Sequence, residues 1–359
     1  MHGGEVCGLK SVEPSGLEAT ELSRVFAWLD SIGFSQTSRW PLFAARSWSS
    51  RQEIQAWKRY RSGLCNLQEV AIPRLYWRGL PPVVKRLFRA LTLGEPLSKA
   101  DLAAELFPLL GSDGQPKWRV IPRFGRYILA SPPDLQDEQF VYFGDDTLYL
   151  MQRGRELLAR SSELRDFRVL DLCCGGGGVG LGLPVFHGSL LGVDINPQAI
   201  ELARLATEAQ GLESYRYHLG TVEEVLESDY DLVIGNPPSL PPEIGARTTV
   251  YASGSTARWL EWLVLLENRL SDSGRLLVTV FSVADGPASD ALDPLRGELT
   301  QRLRRGFRYT VRRQFPMAGG RWLRHVALEL LPQEERAGEE FVGPSPSLQL
   351  PALAWRRRP

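Results

Sequence analysis

Val169-Leu170-Asp171-Leu172-Cys173-Cys174-Gly175-Gly176-Gly177-Gly178-Val179-Gly180 is an apolar run that meets an acid and then breaks into four consecutive glycines. The run predicts a buried strand. The glycines let the backbone turn sharply and approach a ligand closely. Gly175, Gly177 and Gly180 satisfy G-x-G-x-x-G, and Asp194 follows where a ribose-binding acid is expected, so a dinucleotide site is one reading. Asp171 opposes it. A carboxylate at the mouth of the loop would repel the pyrophosphate that a helix N-terminus attracts, whereas a cationic ligand would be favoured there.

Working outward, a helical stretch at 155–165 precedes short apolar runs at 168–172, 190–195, 215–219, 232–235 and 276–281, which alternate with helical patterns at 197–210 and 257–270. That alternation predicts an α/β fold with a doubly wound, mainly parallel sheet. Two last strands, at 307–315 and 323–331, make seven. The link between them is too short for a crossover helix, so this pair is expected to be antiparallel. Upstream, helical spacing at 19–33 and 51–60 and a helical pair within 79–110 predict a mostly helical N-terminal domain. A hairpin around Gly125, within 118–129, would make it winged-helix-like. The expected division is 1–135, then 136–335, then a flexible or loosely docked tail at 336–359 rich in Pro, Gly and Ser.

Forty-two basic and 42 acidic residues cancel, so the global charge names no partner among the 359 residues. The four cysteines, Cys7, Cys65, Cys173 and Cys174, lack the spacing of a metal or redox site and suit a reducing compartment. The N-terminus has no apolar signal core, and no apolar run reaches membrane-spanning length. A cytoplasmic protein with no metal centre is expected.

The acid-then-glycine loop resembles that of the class I methyltransferases dependent on S-adenosylmethionine (SAM), with DLCCGGG matching D-x-G-x-G-x-G. The likeness covers about residues 169–331. SAM carries an ammonium and a sulfonium but no phosphate, which suits Asp171. Cys173 stands where the first glycine is usual and is read as a packing residue. The resemblance implies that Asp171, Cys173, Gly175 and Gly177 hold the methionine part of SAM. Asp194, 23 positions after Asp171, can accept the two ribose hydroxyls, with Ile195 beside the adenine. Thr221 and the amide of Val222 would face the adenine edge. Upstream, Gly144-Asp145-Asp146-Thr147 is similar to the segment preceding the sheet in glutamine N-methyltransferases, which makes Thr147 a candidate cofactor ligand.

The fourth strand runs into Gly235-Asn236-Pro237-Pro238-Ser239. Two prolines stop the strand and stiffen the backbone, and the first pushes Asn236 out of the helical region. The side-chain oxygen of Asn236 and the carbonyl of Pro237 could then accept both protons of one planar NH2 group. That would aim the nitrogen lone pair at a methyl donor without a strong base. The motif resembles the NPP motif of amino-methyltransferases acting on glutamine, adenine N6 or guanine N2, so Asn236, Pro237, Pro238 and Ser239 are the expected catalytic residues. Asn236 also borders the expected cofactor site. Ser239 replaces the aromatic residue usual after the prolines, so a stacking partner must come from elsewhere, with Phe143, Tyr251 and Trp259 as candidates. Arg247 and Arg258 flank that region.

Between Arg39 and Arg126, sixteen basic residues face six acids, interleaved with Trp40, Trp48, Trp57, Tyr60, Tyr76 and Trp77. This pattern suits an RNA- or ribosome-facing surface, an acidic protein partner, or a solvated helical face over a Trp-rich core. The expected activity is SAM-dependent methylation of an amide or exocyclic amine nitrogen on a protein or RNA, with a translation factor among the candidate substrates. A small-molecule methyltransferase and a nucleotide-binding oxidoreductase are the competing readings.

Overall fold

The computed structural model describes residues 16–39, 79–132, 140–160, 166–184, 188–225, 229–240, 256–285, 294–333 and 340–342. Helix α1 (Ala19–Ser31) and helix α2 (Pro82–Leu87) precede a hairpin of β1 (Arg119–Arg123) and β2 (Arg126–Ala130). Its two-residue turn, Phe124 and Gly125, has φ of 49° and 75°, the left-handed pair that matches the twist of the flanking strands. Then follow α3 (Asp145–Arg160), β3 (Phe167–Leu172), α4 (Gly178–Gly182), β4 (Gly188–Asp194), α5 (Pro197–Glu208), β5 (Tyr215–Leu219) and β6 (Tyr230–Gly235). The chain continues through α6 (Thr256–Glu267), β7 (Leu270–Asp285), α7 (Pro294–Arg302), β8 (Phe307–Pro316), β9 (Arg321–Leu330) and β10 (Glu340–Val342).

The large sheet has the order β10-β8-β9-β7-β6-β3-β4-β5. Seven of these strands are the expected ones, and β9 runs antiparallel to both β7 and β8. The eighth, β10, pairs parallel with β8, so three residues of the expected tail dock on the sheet edge. Strand order reverses at β3, whose neighbours β4 and β6 both run parallel to it. A crevice opens at the C-terminal ends of strands where the order reverses, and this places the site.

Alternation across the strands feeds two cores. Val169, Leu190, Ile234 and Leu277 face α3, α4 and α5, while Leu170, Val193, Val233 and Leu276 face α6 and α7. The first core continues into Leu22 and Phe26 of α1, Leu87 of α2 and Ile128 of the hairpin. Gln210, just past α5, bonds the backbone of Tyr127 in both directions, at 2.8 and 2.9 Å. The boundary expected near residue 135 thus divides the sequence without dividing the hydrophobic core.

Two expectations need correction, and a third falls outside the described residues. Helix α3 starts at Asp145, ten residues before the anticipated start. Gly154 is a packing residue within it: a Cβ there would lie 2.7 Å from Leu183 and 2.9 Å from Ile234. The helical pair within 79–110 is one helix, α2, running into a π-helical turn at Phe88–Thr92 and then 3-10 turns at Lys99–Asp101 and Ala104–Leu109. Pro108 denies the last of these an α-helical bond. The winged-helix reading relied on 51–60, which lies outside the described residues, as do Trp40, Trp48, Trp57, Tyr60, Tyr76 and Trp77. No helix among the described residues is long and apolar enough to cross a membrane.

Candidate active site

A cleft of about 660 Å³ opens over the C-terminal ends of β3, β4 and β6. Cys173, Gly175, Asp194, Ile195, Thr221 and Val222 line one half of it. Thr147, Asn236, Pro237, Pro238 and Ser239 line the other. These residues are spread over 92 positions of sequence, from Thr147 to Ser239, and the switch point brings them into one cavity.

Asp171 is not at the mouth of the loop. It is fully buried beneath it, with Oδ2 accepting the Gly180 amide at 2.9 Å and Oδ1 holding no partner. It fastens the start of α4, and any effect on a ligand is by its field through the loop. Gly177 likewise does not line the cleft. Its φ of 73° makes the turn, and a Cβ there would lie 2.7 Å from the Tyr217 hydroxyl. Cys173 has φ 53°, the left-handed conformation that explains why glycine is usual at this position.

Burial pushes the Asp171 carboxyl up to about 7 from 3.8, with nearby Asp194 adding to the rise and the Gly180 amide opposing it. Between those two pH values the folded chain keeps a proton that the unfolded chain has released. Stability therefore falls as pH rises through that window. The expected outcome is a melting temperature that declines from pH 5 to 7.5 in the wild type and declines less in Asp171→Asn. The difference over that range corresponds to at most roughly 3 kcal/mol. Parallel pH–melting curves for the two proteins would remove Asp171 as the source.

Asp194 ends β4 with its side chain organised. Oδ2 accepts the Gly175 amide at 2.8 Å and Oδ1 the Asn196 amide at 2.9 Å. Burial raises its pKa while those amides lower it. Each oxygen retains a lone pair for a hydroxyl. Asn196 caps α5 through the amides of Gln198 and Ala199, which fixes the turn carrying exposed Ile195. Thr221 is committed elsewhere: its hydroxyl donates to Glu224 Oε1 at 3.1 Å and its amide points to the same atom at 3.3 Å. It caps the turn at Val222–Val225, and buried Val222 is left as the wall at that end.

On the acceptor side, Asn236 Nδ2 donates to Asp146 Oδ2 at 2.7 Å, and Thr279 donates to Asn236 Oδ1 at 2.9 Å. A carboxylate only accepts, so the amide can sit one way round only. Asp146 is buried at the first turn of α3, where its other oxygen accepts the Thr147 amide at 2.9 Å. Thr147 is buried as well and accepts the Gly144 amide at 3.4 Å, which caps its own turn. Ser239 is no substitute for an aromatic ring. Its hydroxyl accepts the amide of Phe281 at 2.9 Å and clamps the motif to β7.

Of the expected stacking residues, Trp259 lines the cleft, while Phe143 is buried against Gly178 behind the loop. Tyr251 and Arg247 lie outside the described residues. Arg258 stands at the rim, 3.4 Å from Glu223 and 5.7 Å from the Trp262 ring. Asp146, Thr279 and Phe281 were not anticipated as site residues. Asp146 sits in a segment already singled out, beside Thr147. Thr279 and Phe281 are two apart on one face of β7, a spacing visible in sequence only once the strand's register against β6 is known.

Among the described residues lining the cleft the charged ones are Asp146, Asp194 and Arg258, two acids and one rim cation. A pyrophosphate would find no inner cation here. SAM, with its ammonium and sulfonium, fits. No cluster of metal-ligating side chains occurs among the described residues.

Residues 150–248 match the methyltransferase small domain family. Over 79 residues the chain is 42% identical to the 23S rRNA (uracil(747)-C(5))-methyltransferase RlmC of Proteus mirabilis, covering 21% of each chain. Over 78 residues it is 36% identical to the human tRNA (uracil-5-)-methyltransferase homolog B, covering 20% of this chain and 16% of that one. The chain thus spans about a fifth of the length of these curated relatives. A solved SAM-dependent methyltransferase from Agrobacterium tumefaciens aligns over 62% of this chain and 76% of its own, at 17% identity and a TM-score of 0.45. With the strand order, the acid-and-glycine loop and the Asn-Pro-Pro turn all placed around one cleft, the chain carries a SAM-dependent methyltransferase domain, similar over residues 150–248 to the methyltransferase small domain.

Proposed function

We propose that this protein methylates an exocyclic amine or amide nitrogen of a macromolecule, with RNA the favoured substrate. The observation that carries this reading is the fixed orientation of Asn236 between Asp146 and Thr279, in the same cleft as Asp194. When bound, SAM supplies an electrophilic methyl group. Gly175, Asp194, Ile195 and Val222 would hold it, with Thr147 bordering the same space. Asn236 Oδ1 keeps one lone pair after Thr279 has used the other, and the Pro237 carbonyl offers a second acceptor. Two acceptors on one NH2 group fix its plane and direct the nitrogen lone pair out of it. Positioning of this kind can supply most of the rate without a strong base. RNA is favoured because the matched relatives are named for rRNA and tRNA.

Those same relatives are named for methylation at uracil C5, a carbon, which makes carbon methylation the second reading. A pyrimidine carbon needs covalent activation by a nucleophile such as a thiolate. Both described cysteines, Cys173 and Cys174, border the cleft, and burial together with the carboxylates of Asp194 and Asp171 pushes each thiol well up, away from thiolate. Cys173→Ala is expected to keep methyl transfer within about threefold, whereas loss of a true nucleophile costs roughly 10³ or more. A collapse in turnover with intact SAM binding would establish the carbon chemistry instead. The overall assignment is tested with labelled SAM and the RNA and protein fractions of a strain lacking the gene. Label is expected in RNA, as an N-methylated nucleoside on digestion. Label confined to protein would overturn RNA as the substrate, and a C5-methylated pyrimidine would overturn nitrogen as the acceptor atom.

A further inference from the structure

From the packing around Asn236 we infer that Phe281 is the stacking platform of the acceptor site, and that the acceptor is a flat nucleobase held against its ring. This rests on the methyltransferase reading above and adds the class of substrate. Three observations converge. Thr279 and Phe281 lie on the same face of β7, and Thr279 is the residue that bonds Asn236 Oδ1. Two residues along a strand span about 7 Å, so Phe281 stands one ring-width beyond the amide that would receive the acceptor's NH2. Ser239, occupying the place usually held by an aromatic, accepts the Phe281 amide at 2.9 Å and so draws this stretch of β7 against the Asn-Pro-Pro turn. Finally, His325, the register partner of Phe281 on β9, stacks on the ring with centroids 4.8 Å apart and planes 23° from parallel. One face of Phe281 is therefore backed by an imidazole, while the residue borders the cleft.

A ring backed on one side, in a residue that borders a largely apolar cleft, is arranged for π-stacking with another flat system. The small residue at 239 and the aromatic at 281 are then one device. Ser239 is small and fixes the strand that supplies a ring beside the Asn-Pro-Pro turn. An extended glutamine side chain gains little from such a platform, but adenine, guanine or cytosine, each with an exocyclic NH2, gains much.

The test uses the full chain, labelled SAM, and RNA and protein fractions from a strain lacking the gene. Wild type is expected to label RNA. Phe281→Ala should lower the rate at limiting RNA by about tenfold or more, mainly through KM, and Phe281→Trp should restore it. S-adenosylhomocysteine affinity, measured by calorimetry, should stay within about twofold in both variants, since stacking belongs to the acceptor half of the cleft. Labelled RNA with Phe281→Ala at the wild-type rate would overturn the platform while leaving the methyltransferase reading intact. Label in protein alone would overturn the nucleobase. A chain that binds S-adenosylhomocysteine but labels no macromolecule would remove both.

Discussion

Replacing Asn236 by Ala is expected to cut methyl transfer at least about a hundredfold while leaving SAM affinity within about threefold of wild type. The asymmetry follows from what the side chain touches. Its two polar ends are held by Asp146 and Thr279, neither of which is on the glycine loop or the Asp194 turn that would hold SAM. Removing the amide deletes an acceptor for the substrate NH2 and releases the Asp146 carboxylate, which is buried and loses a 2.7 Å donor. That loss costs about 1–3 kcal/mol of stability, so binding and turnover should both be measured well below the lowered melting temperature. Asn236→Asp is a sharper variant. It sets a carboxylate against Asp146 and converts an attraction into a like-charge contact, so it should be inactive and less stable than Asn236→Ala. An equal loss of SAM affinity and turnover in Asn236→Ala would place the residue in the cofactor half and end its acceptor role.

Asn236 also shows how far the sequence could be read. That it ends a strand, precedes two prolines and carries the acceptor chemistry follows from local rules: proline stops a strand and restricts the residue before it. The parallel strands, the antiparallel final pair and the hairpin were legible for the same reason, since period-two apolar runs and short links constrain pairing directly. What holds Asn236 was not legible. Asp146 lies 90 positions upstream and Thr279 lies 43 downstream, and only the packing of α3 over β6 and β7 brings them together. Asp171 was misplaced by a related limit. Sequence shows an acid before glycines, but whether it faces the ligand or is turned under the loop depends on strand alternation and on the Gly180 amide. Thr221 is expected at the adenine edge from its place at the end of the third strand, whatever its hydroxyl bonds. Glu224, three residues on, claims that hydroxyl, and that spacing is a readable capping pattern.

The second large effect is expected at Asp194, where Ala should weaken SAM and S-adenosylhomocysteine binding by about two orders of magnitude or more. Two hydrogen bonds from ribose hydroxyls to an ionised carboxylate are worth about 1.5–3 kcal/mol each. The same carboxylate also accepts the Gly175 amide at 2.8 Å, so part of the loss would come from a slackened loop. The two contributions can be separated. Asp194→Asn keeps an oxygen for one amide but no charge, and should fall between wild type and Ala. A thermodynamic cycle compares S-adenosylhomocysteine with an analogue lacking both ribose hydroxyls on wild type and Asp194→Ala. If the carboxylate receives those hydroxyls, the two deletions overlap and the doubly deleted pair binds better than the sum of the losses predicts. Additive losses would mean that Asp194 acts on the loop alone. The pH dependence has a definite sign as well. Burial holds this carboxyl above its ordinary range, and its protonated form gives up acceptor capacity. Affinity for the analogue with hydroxyls should therefore decline on acidification sooner than affinity for the analogue without them, and Asp194→Asn should abolish the difference.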